Sequence, residues 1–233
     1  MTTLHSVDGA HAQTVVAGNC SGVVTIQSSR GSGAPLIRDY SRSVALSGAN
    51  LSFYSDSICS NQVSSLTLPA FQAQASFYFR SVVAASVGLT ASTAGINAGT
   101  QTQTISSGAA SQVAVVGTPG NMASGSVVVP ALDVRIQDSY GNRVFGSTAP
   151  VTVSIAAGSP AGSLSGTLTQ NVVQGRVLFN YLSLLTNAGG SFLLAANSPG
   201  LLEGKSGAFD VTASPGPQPS PTPTPTPTAT PVA

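Results

Sequence analysis

Cys20 and Cys59 are the only cysteines in the 233 residues, and an even count invites a bridge. In a composition that looks extracellular a disulfide is favoured, with two reduced thiols in a cytosolic chain as the alternative. Closing a loop of that length would add about 4 kcal/mol in the chain-entropy picture. His5 and His11 are the only histidines. A zinc site needs three or four ligands at matched spacing, so both read as solvated residues near the N-terminus. Asp138, Gly141 and Asn142 form a candidate oxygen cluster for a calcium ion, with Asp133 the other nearby acid. Calcium asks for six to eight oxygens, and the two acids, five apart, fall on opposite faces of a regular strand. A tight turn with Gly141 or Asn142 at positive φ explains the same residues without a metal.

Serines are abundant, yet a hydrolase also needs a base beside its nucleophile and an acid to orient that base. Neither that arrangement nor the paired carboxylates of a glycosidase is evident, and no glycine-rich phosphate loop leads into a helix. The reading is therefore no enzyme, no cofactor and no metal. Lys205, the sole lysine, lies in Glu203-Gly204-Lys205-Ser206-Gly207. An intramolecular Lys–Asn isopeptide bond needs a buried lysine beside an acid, whereas this glycine-flanked segment reads as an exposed turn. Tyr54 and Tyr78 remain as candidate glycan contacts. Both neighbour core-facing phenylalanines, so both point outward and offer rings for a sugar, or else form a cross-strand pair covering the sheet.

The elements that would carry these residues are strands. Val44 and Leu46, Leu51 and Phe53, Leu66 and Leu68, and Phe77 and Phe79 sit two apart. Val134 and Ile136, the run Val151, Val153 and Ile155, Val177 and Phe179, and Phe209 and Val211 repeat the spacing. Period two places them on one sheet face, with mostly serine, threonine, glutamine and arginine on the other. Turn signals separate the runs at Gly31-Ser32-Gly33, Gly48-Ala49-Asn50, Gly141-Asn142, Gly158-Ser159-Pro160 and Pro199-Gly200. Short strands so punctuated predict an all-β antiparallel architecture. From Ser214 the chain reads SPGPQPSPTPTPTPTATPVA. Alternating prolines fix φ and remove donors, so 214–233 is expected to be a disordered, extended Pro/Thr-rich linker.

Charged residues make up only 6% of the chain, against about 25% in an ordinary soluble protein. Eight Lys+Arg against seven Asp+Glu leave a net charge of +1, which excludes a clustered-cation surface for nucleic acid. No apolar run approaches the 18 or so residues of a membrane span. A surface wetted by hydroxyls and amides loses little to salt or pH, which suits an exposed extracellular spacer.

The body divides into two similar halves. Residues 25–31 (TIQSSRG) resemble 135–141 (RIQDSYG), 76–80 (SFYFR) resemble 176–180 (RVLFN), and 89–95 (LTASTAG) resemble 194–200 (LAANSPG). Order is kept while the offset drifts through 110, 100 and 105 residues, as in two diverged copies of one domain of about 100 residues, the size of an immunoglobulin-like sandwich. The expected units are 1–106 and 107–213, followed by the linker.

Cys20 through Gln27, Leu51 through Cys59 and Ala75 through Arg80 resemble one type of bacterial immunoglobulin-like repeat. Ile136-Gln137-Asp138-Ser139-Tyr140-Gly141-Asn142 is similar to the valine-x-aspartate-x-x-glycine-asparagine corner of invasin- and intimin-like repeats, with isoleucine for valine, and Ala208 through Thr212 fits the end of that repeat. The resemblance covers 10–213. It implies two tandem immunoglobulin-like antiparallel β-sandwiches from a larger bacterial secreted or cell-surface protein, a non-catalytic spacer that presents neighbouring domains, with adhesion as the larger protein's task. Partners would be neighbouring domains and a cell-surface protein or glycan, and the chain itself a monomer. The antibody-type disulfide packs on a core tryptophan; this chain has none, so a Cys20–Cys59 bridge would be of another kind. The location expected from composition and resemblance is extracellular or cell surface, although Met1 through His5 lacks the charged start and apolar stretch of a signal peptide. The other function is a carbohydrate-binding accessory module tied through the Pro-Thr segment to an enzyme.

Overall fold

The computed structural model describes residues 3–6, 12–30 and 34–213. The Pro-Thr segment 214–233, His11 and the Gly31–Gly33 turn lie outside the described residues, as does the His5 side chain. Among the described residues there is no helix, and hence none long and apolar enough to cross a membrane.

The first sandwich is built from β1 (Thr3–Ser6), β2 (Thr14–Val16), β3 (Val24–Ser29), β4 (Arg42–Ser47), β5 (Ser52–Tyr54), β6 (Gln62–Val63), β7 (Ser65–Leu68), β8 (Gln74–Arg80), β9 (Ser86–Thr93) and β10 (Ile96–Ser106). One face runs β6-β5-β8-β3-β1 and the other β10-β9-β4-β7. β2 adds to β10 in parallel (Val15 opposite Ile105), while β1 lies antiparallel on β3. This split of the N-terminal segment between both sheets, with the remaining pairs antiparallel save one β1–β10 bridge, is an immunoglobulin-like arrangement.

The second sandwich repeats it with β11 (Gln112–Val116), β12 (Met122–Ala123), β13 (Leu132–Gln137), β14 (Pro150–Ile155), β15 (Ser163–Ser165), β16 (Thr169–Asn171), β17 (Arg176–Phe179), β18 (Ser183–Leu185), β19 (Gly190–Phe192), β20 (Leu194–Asn197), β21 (Gly204–Lys205) and β22 (Phe209–Thr212). β11-β13-β17 make one face, and β18 carries on the course of β17 to pair with β15. β16-β14-β20-β21 make the other, and β12 joins β22 in parallel as β2 joins β10. In both copies the strand after β4 or β14 crosses to the opposite sheet, and the chain then returns to the edge beside β4 or β14.

Every period-two pair read from the sequence turns inward. Val44, Leu46, Phe53, Leu66, Leu68, Phe77 and Phe79 are buried in one hydrophobic cluster, with Leu51 packed against it. Val134, Ile136, Val151, Val153, Val177, Phe179, Phe209 and Val211 are buried in a second, with Ile155 against it. The two clusters share no residue, so each copy has its own core. Phe53 meets Phe77 edge-on at 5.8 Å, a favoured aromatic geometry.

The repeat register needs a correction in two places. Arg30 N–H bonds to Ala34 and Leu36 N–H to Ser28, each 2.8 Å. The same two bonds recur as Asp138 to Asn142 and Val144 to Ile136, each 2.9 Å. Ser28 therefore matches Ile136, an offset of 108 and not 110. Val24 faces Phe77 across the ladder and Leu132 faces Phe179, which moves the offset in β8 from 100 to 102. A slip of two residues leaves the inward face unchanged, so alternation alone does not detect it. Lys205 is exposed, as expected, but lies in β21 opposite Ala195 and not in a turn, and its ammonium reaches Glu203 at 3.4 Å.

Candidate functional site

Cys20 and Cys59 form a disulfide with Cα atoms 5.7 Å apart, closing 39 residues of sequence separation. Cys20 bridges to Arg80 at the end of β8, and Cys59 lies in the loop between β5 and β6, so the bond staples one sheet and does not cross the core. Asp56 shapes that loop by accepting from the N–H groups of Ile58 (3.1 Å), Ser60 (3.0 Å) and Asn61 (2.6 Å). These donors, Ser60 first, hold its carboxyl below the usual aspartate value.

The Asp138–Asn142 corner is a junction between the sandwiches. β13 places Ile136 inward and Asp138 two residues on, at the mouth of the core, where it is buried. Its Oδ1 accepts from Tyr140 N–H and Asn142 N–H, both 2.9 Å, and Gly141 at φ 84° completes the turn. Its Oδ2 accepts from Asn142 Nδ2 at 2.9 Å and from Gly108 N–H, in the segment linking the two copies, at 2.8 Å. Burial opposes ionisation of Asp138, but the Asn142 amide and the Gly108, Asn142 and Tyr140 N–H groups together outweigh it and lower its pKa. With both oxygens aimed at N–H donors, the carboxylate offers poor purchase to a cation, and no group of three or more metal-ligating side chains occurs among the described residues.

Asn142 then reaches across the junction. Its Nδ2 donates to the Val82 carbonyl at 2.8 Å, and its Oδ1 accepts from Ala84 N–H at 2.8 Å. One side-chain amide thus pairs with the 82–84 loop as a strand would. Tyr140 lies over Gly18, where a Cβ would overlap the ring and where φ is +87°. Only glycine satisfies both conditions without strain. Arg30 and Ala34 stand at the matching corner of the first copy, so that corner has neither the carboxylate nor the amide.

Asp133, on the outer face of β13, takes Arg135 at 2.9 Å and Arg176 at 2.8 Å. Partial burial works against its charge, and the two guanidinium partners more than compensate, so its pKa is also lowered. Asp133 and Asp138 do lie on opposite sides of β13 and do not converge. Tyr54 and Tyr78 are brought together, directly opposite across β5 and β8 and half-buried on the outer face.

Fold and junction together define a tandem pair of immunoglobulin-like sandwiches held by one corner. No protein-family model and no curated protein matches the sequence. Among solved structures the chain is similar to the D00-D0 domain of intimin, at 12% identity and TM-score 0.45 over 91% of this chain and 100% of that one. It is also similar to the Yersinia pseudotuberculosis adhesin InvE, at 13% identity and TM-score 0.35 over 91% of this chain and 59% of that one. A third, a β-glycosidase from Bacteroides vulgatus, is 14% identical with a TM-score of 0.38 over 90% of this chain, which spans only 25% of the glycosidase. Likeness at this level carries no functional argument.

Proposed function

We propose that this chain is a non-catalytic structural module of a bacterial secreted or cell-surface protein. It has folded units at 1–106 and 107–213 and a Pro-Thr tether, read from sequence, at 214–233. The observation that carries the reading is the Asn142 bridge to Val82 and Ala84, backed by Asp138 on Gly108. A corner that bonds to the preceding unit and to the connecting segment resists bending, which is what a spacer presenting its neighbours requires. Inter-domain contacts are ordinarily loose, so specific bonds at this joint have a mechanical meaning. The Cys20–Cys59 bridge supports an oxidising compartment, and adhesion is the task such a spacer would serve. Small-angle scattering on the full chain tests this. A monomer whose profile fits one fixed elongated arrangement of the two sandwiches supports the reading. A profile needing a broad ensemble of inter-domain angles refutes it.

A further inference from the structure

The outer face of the β5–β8 ladder carries more than the tyrosine pair. Ser52 faces Arg80 and Tyr54 faces Tyr78 in the same register, so the four side chains form one block of cross-strand neighbours. Among the described residues no side-chain hydrogen bond or ion pair holds the Arg80 guanidinium. Its Nε is buried without a hydrogen bond, and no carboxylate pairs with it among the described residues. Asp56, the acid nearest in sequence on this sheet, is committed to the N–H groups of its own turn. Beside Arg80 opens a cleft of about 290 Å³ lined by Asn50, Ser52, Tyr54, Arg80, Ser81 and Val82. That is the small end of ligand-pocket volumes, with room for about one sugar ring.

We infer that this cleft binds a carboxylate-bearing saccharide, a uronic-acid type unit, which goes beyond the spacer role and does not depend on it. The Tyr54 ring offers the apolar face of a pyranose a stacking surface, and the Asn50 amide and Ser52 hydroxyl suit its ring hydroxyls. The guanidinium takes the carboxylate through paired N–H donors, a geometry that a lysine would not supply. Several arginines lack a carboxylate partner among the described residues, but Arg80 combines that with a place in the wall of a cleft beside an aromatic ring, where a bound carboxylate would neutralise it. The flat aromatic beside it favours a sugar over an acidic peptide.

The test titrates trigalacturonate into the isotope-labelled full chain and follows amide shifts. Saturable shifts centred on Ser52, Tyr54, Tyr78 and Arg80, weakened about tenfold or more by Arg80→Gln and by Tyr54→Ala, support the inference. So does binding about tenfold weaker for the neutral galactose trimer, a comparison that needs no variant and stands if Arg80→Gln disturbs the ladder. Absence of saturable shifts, equal affinity for the neutral trimer, or tighter binding of a triglutamate peptide overturns it. The scattering profile of the unliganded chain is a separate readout, so either proposal can fail alone.

Discussion

Asn142→Ala removes one side chain that spans the joint, and its effect divides into two measurable parts. The bonds to Val82 and Ala84 are neutral, each worth about 0.5–1.5 kcal/mol net. Val82 is exposed and Ala84 half-buried, so water replaces the lost partner and no full desolvation penalty remains. Coupling between the sandwiches therefore falls by about 2 kcal/mol, roughly a 30-fold shift toward the undocked state. The bond to Asp138 is charge-assisted and worth about 1.5–3 kcal/mol. Its loss falls on the second sandwich alone and lowers that transition by on the order of 10 °C for a unit of this size. Residual dipolar couplings read the first part: the wild type fits one alignment tensor for both sandwiches, and the variant needs two of different magnitude. Calorimetry reads the second. A variant that keeps one common tensor and the wild-type melting profile would refute the assignment of this corner as a joint.

Replacing Cys20 and Cys59 together by serine should cost the first sandwich about 4 kcal/mol and leave the second transition in place, seen by urea unfolding followed through probes in each copy. Phe77→Ala and Phe179→Ala each empty a fully buried site in a separate cluster and should each cost about 3–5 kcal/mol. Each should shift only its own transition, and a single merged transition in both variants would contradict separate cores. Asp56, Asp133 and Asp138 all have lowered pKa values, so their contribution is present above the unfolded aspartate value near 3.9 and is lost as pH falls through the folded ones. Between pH 5 and pH 2.5 the urea midpoint of the second sandwich, with two such groups, should fall further than that of the first. Asp138→Asn should flatten that dependence.

The sheet faces were legible because alternation has a direct physical cause. Phe77 and Phe79 must share a side, and a sandwich has one dry side per strand. The same period explains the repeat alignment that was two residues out in β3 and β8: a slip of two preserves every inward residue, and only hydrogen-bond partners such as Leu36 and Ser28 fix the register. The turn at Gly141 was readable from its residue types, but its role was not. Asn142 meets backbone atoms of Val82 and Ala84, and backbone acceptors leave no mark in side-chain identity. Gly18 was equally silent, since a glycine chosen to admit Tyr140 looks like any turn glycine. One signal was available: Asp138 and Asn142 differ from Arg30 and Ala34 at otherwise matched positions, and a polar pair present in only one of two copies points to something that only that copy touches. The tyrosine pair was foreseen, whereas Arg80 was not, because its lack of a counter-charge is a property of three-dimensional surroundings.

Because Arg30 and Ala34 occupy the corner where the second copy has Asp138 and Asn142, the two copies are not interchangeable links. Exchanging their order along the chain would leave a hinge where the native order has a latch. Rearranging the two copies would then change the bonds made at the joint while leaving the hydrogen bonding within each sandwich intact.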